Sequence, residues 1–284
     1  MAFTFILGDE SYKTGQKSVK TLKSYINLEN GGESQPIFLV INSKITLIQT
    51  KTYTPRIIPI SKKLEKVTNK SILLITKDPS NDYRQELTKK DNPTEDTFNQ
   101  IISLKRLKTI AKDPKKLFKD FKQYDIIIAD HRIHKFLPNI LGAPFYVKNK
   151  KLPFMIQMAK PEPNAKLVRG KKSTKLKDNR CDSKYVYSQV KSIVGNTNFL
   201  PPANGNCISV KIGYTNWSDE ELLQNIQDVL SYLVEDKYKP VGGLLKDVAN
   251  IGSIYVKTSE SISLPVFKQE EQVIADDNDS DFDF

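Results

Sequence analysis

The sequence predicts an α/β protein of two units: a split α+β domain with a Rossmann-like three-layer α/β domain inserted into it. Three observations carry this reading. Two fully apolar, β-branched runs, Ser71–Thr76 and Tyr124–Asp130, are separated by stretches with helical spacing. Apolar strands alternating with helices indicate a parallel sheet covered on both faces. The segments on either side are each incomplete. One helix and a strand or two within 17–60 cannot bury a core, and residues 185–267 supply the missing helices and strands. The expected division is therefore 1–62 with 155–268 as one discontinuous domain and 63–154 as the insert. A basic loop is expected at 160–184 and an acidic, disordered tail at 269–284.

The elements follow in order. Val19, Leu22 and Ile26 recur at helical spacing within 17–28, with lysines opposite, and Asn30-Gly31-Gly32 stops the run. Residues 36–49 are rich in Ile, Val and Thr and predict strand. Thr54–Pro59 is a second, proline-bounded extended piece. Ser61–Asn69 turns polar and lysine-rich, which marks the boundary. Ser71–Thr76 is a short buried strand closed by Lys77-Asp78-Pro79. Phe98, Ile101 and Ile102 suggest a helix over 94–104. Asp113-Pro114 opens another, with Asp113 as N-cap, Pro114 in the first position, and Leu117, Phe118 and Phe121 as its apolar face. After the basic loop, Val186, Val190 and Ile193 predict a helix that Gly195 stops. Cys207–Ile212 alternates as a strand does. Ser218 and Glu221 form a capping box ahead of the stripe Leu222, Leu223, Ile226, Val229, Leu230 and Leu233, which Pro240 and Gly242-Gly243 should end. Ile251–Lys257 and Leu264–Phe267 are the last strands.

Charge narrows the function. The net charge is +11, but residues 269–284 hold seven acids and no Lys or Arg, so residues 1–268 carry +18. A surplus of that size attracts polyanions, and nucleic acid is the expected partner through phosphate neutralisation. Within 160–184 stand nine basic residues, including Lys166, Arg169, Lys171 and Lys172, against three acids and no apolar periodicity. This stretch predicts a mobile loop that contacts RNA, with nuclear localisation as its other reading. A hydrophobic content of 38% suffices for a core. No apolar run reaches the roughly 18 residues of a membrane helix, so no membrane partner is expected. Met1–Leu7 lacks a basic stretch and a small-residue cleavage site, so no secretory signal is expected. Cys181 and Cys207 have no metal-ligand or CxxC spacing, and a reducing compartment follows.

Catalytic and cofactor chemistry find little support. His131 and His134 are the only histidines, and no Cys, Asp or Glu completes a metal set with them. No GxGxxG follows a strand and no GxxxxGK[ST] occurs; the turn after Ile75 has no glycine to admit a phosphate. No GxSxG, HExxH or Cys–His nucleophile pattern appears. Neither a cofactor nor a metal is expected.

The run from Tyr124 through Asp130-His131-Arg132 and Leu137-Pro138 to Leu141-Gly142 and Phe145-Tyr146 closely resembles the central block of the ribosomal protein L1 family. Ile72–Asp78, Lys211-Ile212-Gly213 and the stretch Val256-Lys257-Thr258-Ser259 to Leu264-Pro265-Val266-Phe267 resemble three further blocks, in the same order, over about residues 17–268. The resemblance is strongest to the family's eukaryotic nucleolar branch. It implies the two-domain L1-like fold, with a split domain that binds structured RNA, a Rossmann-like second domain and a hinge between them. It further implies work in pre-ribosome assembly, where some members of the branch act on the small-subunit precursor and others on the large; the small-subunit (90S) precursor and its processome are the preferred reading. Two departures stand out. Where the family's stalk proteins carry a Thr-Met-Gly turn that touches rRNA, this sequence reads Ser259-Glu260-Ser261. Where they place a Phe against RNA, it reads Ser34-Gln35-Pro36.

The combined expectation is a non-catalytic RNA-binding ribosome assembly factor of the nucleolus, a monomer within a large ribonucleoprotein. Its partners would be pre-rRNA, other assembly factors and ribosomal proteins. Arg56, Lys166, Arg169, Lys171, Lys172, Lys211 and Lys257 are the candidate electrostatic contacts, with Thr258 and Ser259 as RNA-facing positions implied by the resemblance. The alternatives are a large-subunit precursor factor, a stalk protein, disfavoured by Glu260, and a nucleotide-using enzyme, disfavoured by the missing phosphate loop.

Overall fold

The computed structural model describes residues 5–30, 33–148, 151–163, 168–169 and 176–269. In chain order these form α1 (Gly8–Asn30), β1 (Pro36–Ser43), β2 (Arg56–Ile58), β3 (Ile72–Thr76), α2 (Ser80–Leu87), β4 (Gln100–Ser103), α3 (Leu104–Ile110), α4 (Pro114–Lys122) and β5 (Ile126–Asp130). Then come α5 (His131–His134), α6 (Leu137–Leu141), β6 (Phe154–Ile156), β7 (Val168–Arg169), β8 (Leu176–Lys177) and α7 (Ser183–Gly195). The chain closes with β9 (Thr197–Phe199), β10 (Cys207–Tyr214), α8 (Asp219–Val234), β11 (Ile251–Lys257) and β12 (Leu264–Lys268).

Two four-stranded sheets organise the chain. The first is antiparallel, in the order β10-β1-β11-β12, so strands from both ends of the sequence share it. Helices α1 and α8 cover one face, burying Val19, Leu22, Ile26, Leu222, Ile226 and Val229 against Ile37, Leu39, Ile41, Val210, Ile212, Ile254 and Val256. The second is parallel, in the order β4-β3-β5-β6. Its two faces feed two cores. Leu73, Ile75, Ile127 and Ala129 meet Leu107, Leu117 and Phe121 on one side. Ile72, Leu74 and Ile128 meet Tyr83, Leu87, Val186, Val190 and Ile193 on the other. The short pair β2–β9 joins the two bodies.

Local sequence explains most starts and stops. Asp113 accepts from the N–H groups of Lys115 and Lys116 at 3.0 and 3.2 Å, capping α4 behind Pro114. Ser218 Oγ accepts from Glu221 N at 3.2 Å, while Ser218 N donates to the Glu221 carboxylate at 3.3 Å, closing the capping box of α8. A Cβ at Gly213 would lie 2.6 Å from both Leu222 and Trp217, so only glycine lets β10 run this close to α8.

Several expectations are corrected. α1 begins at Gly8, well before residue 17, because the first half of its buried stripe is Ser11, Gly15 and Ser18 rather than apolar residues. These small residues admit close packing; a Cβ at Gly15 would stand 3.1 Å from Val266. The helix expected over 94–104 is instead a turn, then β4, then the start of α3. The spacing of Phe98, Ile101 and Ile102 suits either period. The parallel pairing of Ile101 and Ile102 with Leu74 and Ile75 decides for strand, one isoleucine facing each core. β1 stops at Ser43 rather than continuing to 49, since Ser43 and Lys44 turn to bond Asn206 O and Asn250 O at 2.7 and 2.8 Å. α8 ends at Val234, before Pro240, and Gly242-Gly243 fold back on its last turn, with Gly243 N donating to Tyr232 O at 2.9 Å.

β6 and α7 also depart from the division drawn at 154/155. β6 pairs with β5, and α7 packs on the parallel sheet. Periodicity shows that a helix has an apolar face but not which sheet that face covers. In the basic stretch, Val168 pairs with Lys177 and Arg169 with Leu176, giving an antiparallel pair where a loop was expected. Lys166, Lys171, Lys172 and the acidic stretch from 270 onward lie outside the described residues.

Candidate nucleic-acid interface

The antiparallel sheet has a second face, and neither α1 nor α8 covers it. Strand alternation sets its composition. In β1 the odd residues Ile37, Leu39, Ile41 and Ser43 are buried, so Pro36, Phe38, Val40 and Asn42 point to the other side, each partly exposed. In β10 that side shows Cys207, Ser209 and Lys211, and in β11 Ser253, Tyr255 and Lys257.

The register arranges these residues in three cross-strand rows. Lys211, Phe38 and Lys257 form one, with the phenylalanine on the strand between the two lysines. Ser209, Val40, Tyr255 and Pro265 form the next, and Cys207, Asn42, Ser253 and Lys268 the third. Neighbours in a row have Cβ atoms about 5 Å apart. Asn42 Nδ2 donates to Ser253 Oγ at 3.0 Å, and Lys268 Nζ sits 5.8 Å from the centre of the Tyr255 ring. None of these positions is acidic. A face with two aromatic rings, three lysines and small hydrogen-bonding groups can stack planar bases and neutralise phosphates at once.

The edge of this face at β10 borders the parallel body. Lys211 Nζ approaches Tyr214 Oη at 3.4 Å, and Tyr214 donates to Glu65 at 2.5 Å. Burial, with the positive charge of Lys70 added, pushes the Lys211 ammonium below the usual lysine range, while Glu65 opposes the shift. An anion beside Lys211 would reverse it. The cleft between the two bodies here measures about 510 Å³ and is lined by Lys70, Lys151 and Lys211 together with Glu65 and Asp125. Its mixed charge makes it a poorer site for a polyanion than the sheet face.

The candidate residues named from sequence divide clearly. Lys211 and Lys257 share a row on the open face. Thr258 is only 1% exposed and is used internally: its N–H donates to Ser261 Oγ at 2.9 Å, and its hydroxyl accepts from Ser261 N at 3.3 Å. Ser259 is exposed on that turn beside Glu260. Arg56 is not a free cation, since its guanidinium donates to Val241 O at 2.7 Å and Pro240 O at 3.4 Å and so ties down the segment after α8. Arg169 lies in β7, whose pairing leaves and rejoins the parallel body between β6 and α7. Arg180 fixes the base of that excursion through Asp178 and Glu162, both at 2.9 Å. Arg132 reaches the Asp178 carbonyl as well. Phe38, Tyr255 and Lys268 were missed. Even–odd alternation within 36–43 and 251–257 would have revealed the first two.

The carboxyl edge of the parallel sheet, the usual ligand position in such sheets, holds an ion pair. Asp130, fully buried at the end of β5, holds the Arg132 guanidinium in a fork, and Arg132 also donates to Tyr83 Oη at 3.0 Å. Among the described residues no group of three or more His, Cys, Asp or Glu could hold a metal ion.

Residues 13–262 match the family described as ribosomal protein L1p/L10e. The chain is 44% identical over 234 residues, 82% of its length, to the ribosome biogenesis protein UTP30 of Saccharomyces cerevisiae, 81% of which is covered. It is 26% identical over 174 residues, 60% of its length, to the mouse ribosomal L1 domain-containing protein 1, of which 31% is covered. The chain belongs to the ribosomal protein L1 family.

Proposed function

We propose that this protein is a non-catalytic ribosome assembly factor that holds pre-rRNA on the open face of the β10-β1-β11-β12 sheet. The observation that carries the reading is the face whose cross-strand rows contain no acid and on which Phe38 and Tyr255 alternate with Lys211, Lys257 and Lys268. Lysines there meet phosphates, and the rings receive bases splayed from a loop or bulge, the usual route to specific RNA recognition. Family membership and the relative named for ribosome biogenesis support the assembly role. The working site on this reading is the nucleolar small-subunit precursor, within its processome, where the chain acts as a monomer among assembly factors and ribosomal proteins. The parallel sheet serves as a Rossmann-like insert that carries the 160–184 basic excursion as a second, weaker electrostatic contact.

Filter-binding titration of a pre-rRNA stem-loop against salt tests the face. The wild-type slope should fall by about one for each of Lys211→Gln and Lys257→Gln. Unchanged slopes in both variants, with RNA still bound, would remove this face from the interface. Neutralising Lys166, Arg169, Lys171 and Lys172 together should lower the slope further; no change would exclude the excursion.

A further inference from the structure

We propose that α4 and the aromatic hollow at its C-terminal end form a second RNA site, where the helix lysines meet phosphates and the hollow receives one unpaired base. This site presupposes the reading of the chain as an RNA-binding protein, but not the use of the open sheet face.

The first observation is charge. Helices α3 and α4 pack together over one face of the parallel sheet, burying Leu107, Leu117 and Phe121. Residues 104–122 hold eight Lys or Arg against two acids, Asp113 and Asp120. All eight cations are exposed, and none forms an ion pair with a described residue. Asp113 is occupied in capping α4. Side chains three and four apart on a helix are neighbours, so Lys115, Lys119 and Lys122 line one flank of α4 with Phe118 among them. Unpaired cations in this number, spread over two helices, attract an extended polyanion rather than a single carboxylate.

The second observation is the hollow. It measures about 190 Å³ and is lined by Phe118, Phe121 and Phe145, with Lys122 and Lys151. Phe145 stands 5.4 Å from Phe121 and 6.4 Å from Phe118 between ring centres, tilted by 70° and 57°. Phe121 and Phe145 are buried, but Phe118 is 43% exposed, so one wall of the hollow is a ring open to solvent. Lys151 donates to the Phe121 carbonyl at 2.9 Å, which holds its ammonium beside the end of α4. The volume lies below the roughly 300 Å³ at which pockets for drug-sized ligands begin, and suits a single planar ring system. An aromatic wall flanked by cations stacks a base and meets its phosphate, the combination used for unpaired nucleotides. An acidic protein segment would satisfy the lysines, but it brings neither a charge at every residue nor a planar group to each ring.

The test titrates the full chain with a pre-rRNA stem-loop that has an unpaired loop, by filter binding at several salt concentrations. The triple variant Lys115→Gln, Lys119→Gln, Lys122→Gln should lower the salt slope by about two to three. Phe118→Ala should weaken binding about 5- to 150-fold with the slope retained. Phe118→Leu, which keeps the apolar fill and removes the ring, should lose affinity in the same direction, separating stacking from any loosening of the core. Ultraviolet cross-linking should join RNA to the segment 117–122. If these variants bind as the native chain does while Lys211→Gln and Lys257→Gln lower the slope, this site is wrong and the sheet face stands. If the α4 variants lose binding and the sheet variants do not, this site stands and the sheet face falls. If RNA affinity is unchanged but the α4 variants lose binding of a synthetic Asp-Phe repeat peptide, the hollow takes an acidic protein segment and the proposal is overturned. A native chain that binds no RNA overturns both sites.

Discussion

The two sheets make opposite use of the same strand chemistry. The parallel sheet is buried on both sides: Ile72, Leu73, Leu74 and Ile75 alternate between two cores, and at the end of β5 Asp130 holds Arg132. The antiparallel sheet is buried on one side only, and the other carries Phe38, Tyr255 and three lysines. A strand buried on both faces spends every side chain on stability, whereas a strand buried on one face has every second side chain free for a ligand. On the function proposed above, the parallel body supports and positions, and the half-covered sheet is left to recognise.

The largest effect that could break this contrast lies in the parallel body. Arg132→Ala leaves the fully buried Asp130 without its guanidinium partner, and the loss of stability in urea should be about 3–5 kcal/mol. A loss below about 1 kcal/mol would show that the carboxyl edge is open to water and to ligands. Next come two neighbours in β1. Leu39→Ala, in the core, should cost about 2–5 kcal/mol of stability and leave the RNA affinity of the folded protein intact. Phe38→Ala, one residue away on the open side, should cost about 1 kcal/mol or less of stability but weaken RNA binding by about 1–3 kcal/mol, roughly 5- to 150-fold. Equal effects of the two substitutions on RNA would erase the distinction between the faces.

The smallest effect concerns pH. Ser71 donates its backbone N–H and its hydroxyl to Asp125 at 2.8 and 2.9 Å, holding that carboxyl below the ordinary aspartate range. Because the folded pKa is depressed, this contribution is present above the unfolded value near 4 and is lost as pH falls through the folded one. Asp125→Asn should therefore flatten the acid limb of the stability curve below about pH 4, measured by thermal melting, and leave RNA affinity near neutrality unchanged. An acid limb identical to that of the native chain would show that this contact adds nothing measurable.

Local chemistry in the sequence was sufficient for much of the fold. Caps at Asp113 and Ser218, the stripe of α8, and the apolar runs of β3 and β5 are interactions between residues a few positions apart, or burial too uniform to misread. They also sufficed for the net charge, the missing phosphate loop and the resemblance that placed the chain among L1 proteins. Other features depended on residues distant in the chain. The spacing of β4 fits both the helical and the strand period until β3 lies beside it. The first turns of α1 carry no apolar stripe, because Gly15 and Ser18 are small for the sake of β12 and α8, about two hundred residues or more away. α7 could not declare which sheet it covers. Among the site residues, charge alone named Lys211 and Lys257. Only the fold showed that Arg56 is committed to backbone carbonyls, that Thr258 is buried, and that Phe38 and Tyr255 stand between the lysines. A side chain's type follows from the sequence, but its availability depends on what the tertiary structure packs against it, and the open face exists because two helices cover only one side of four strands.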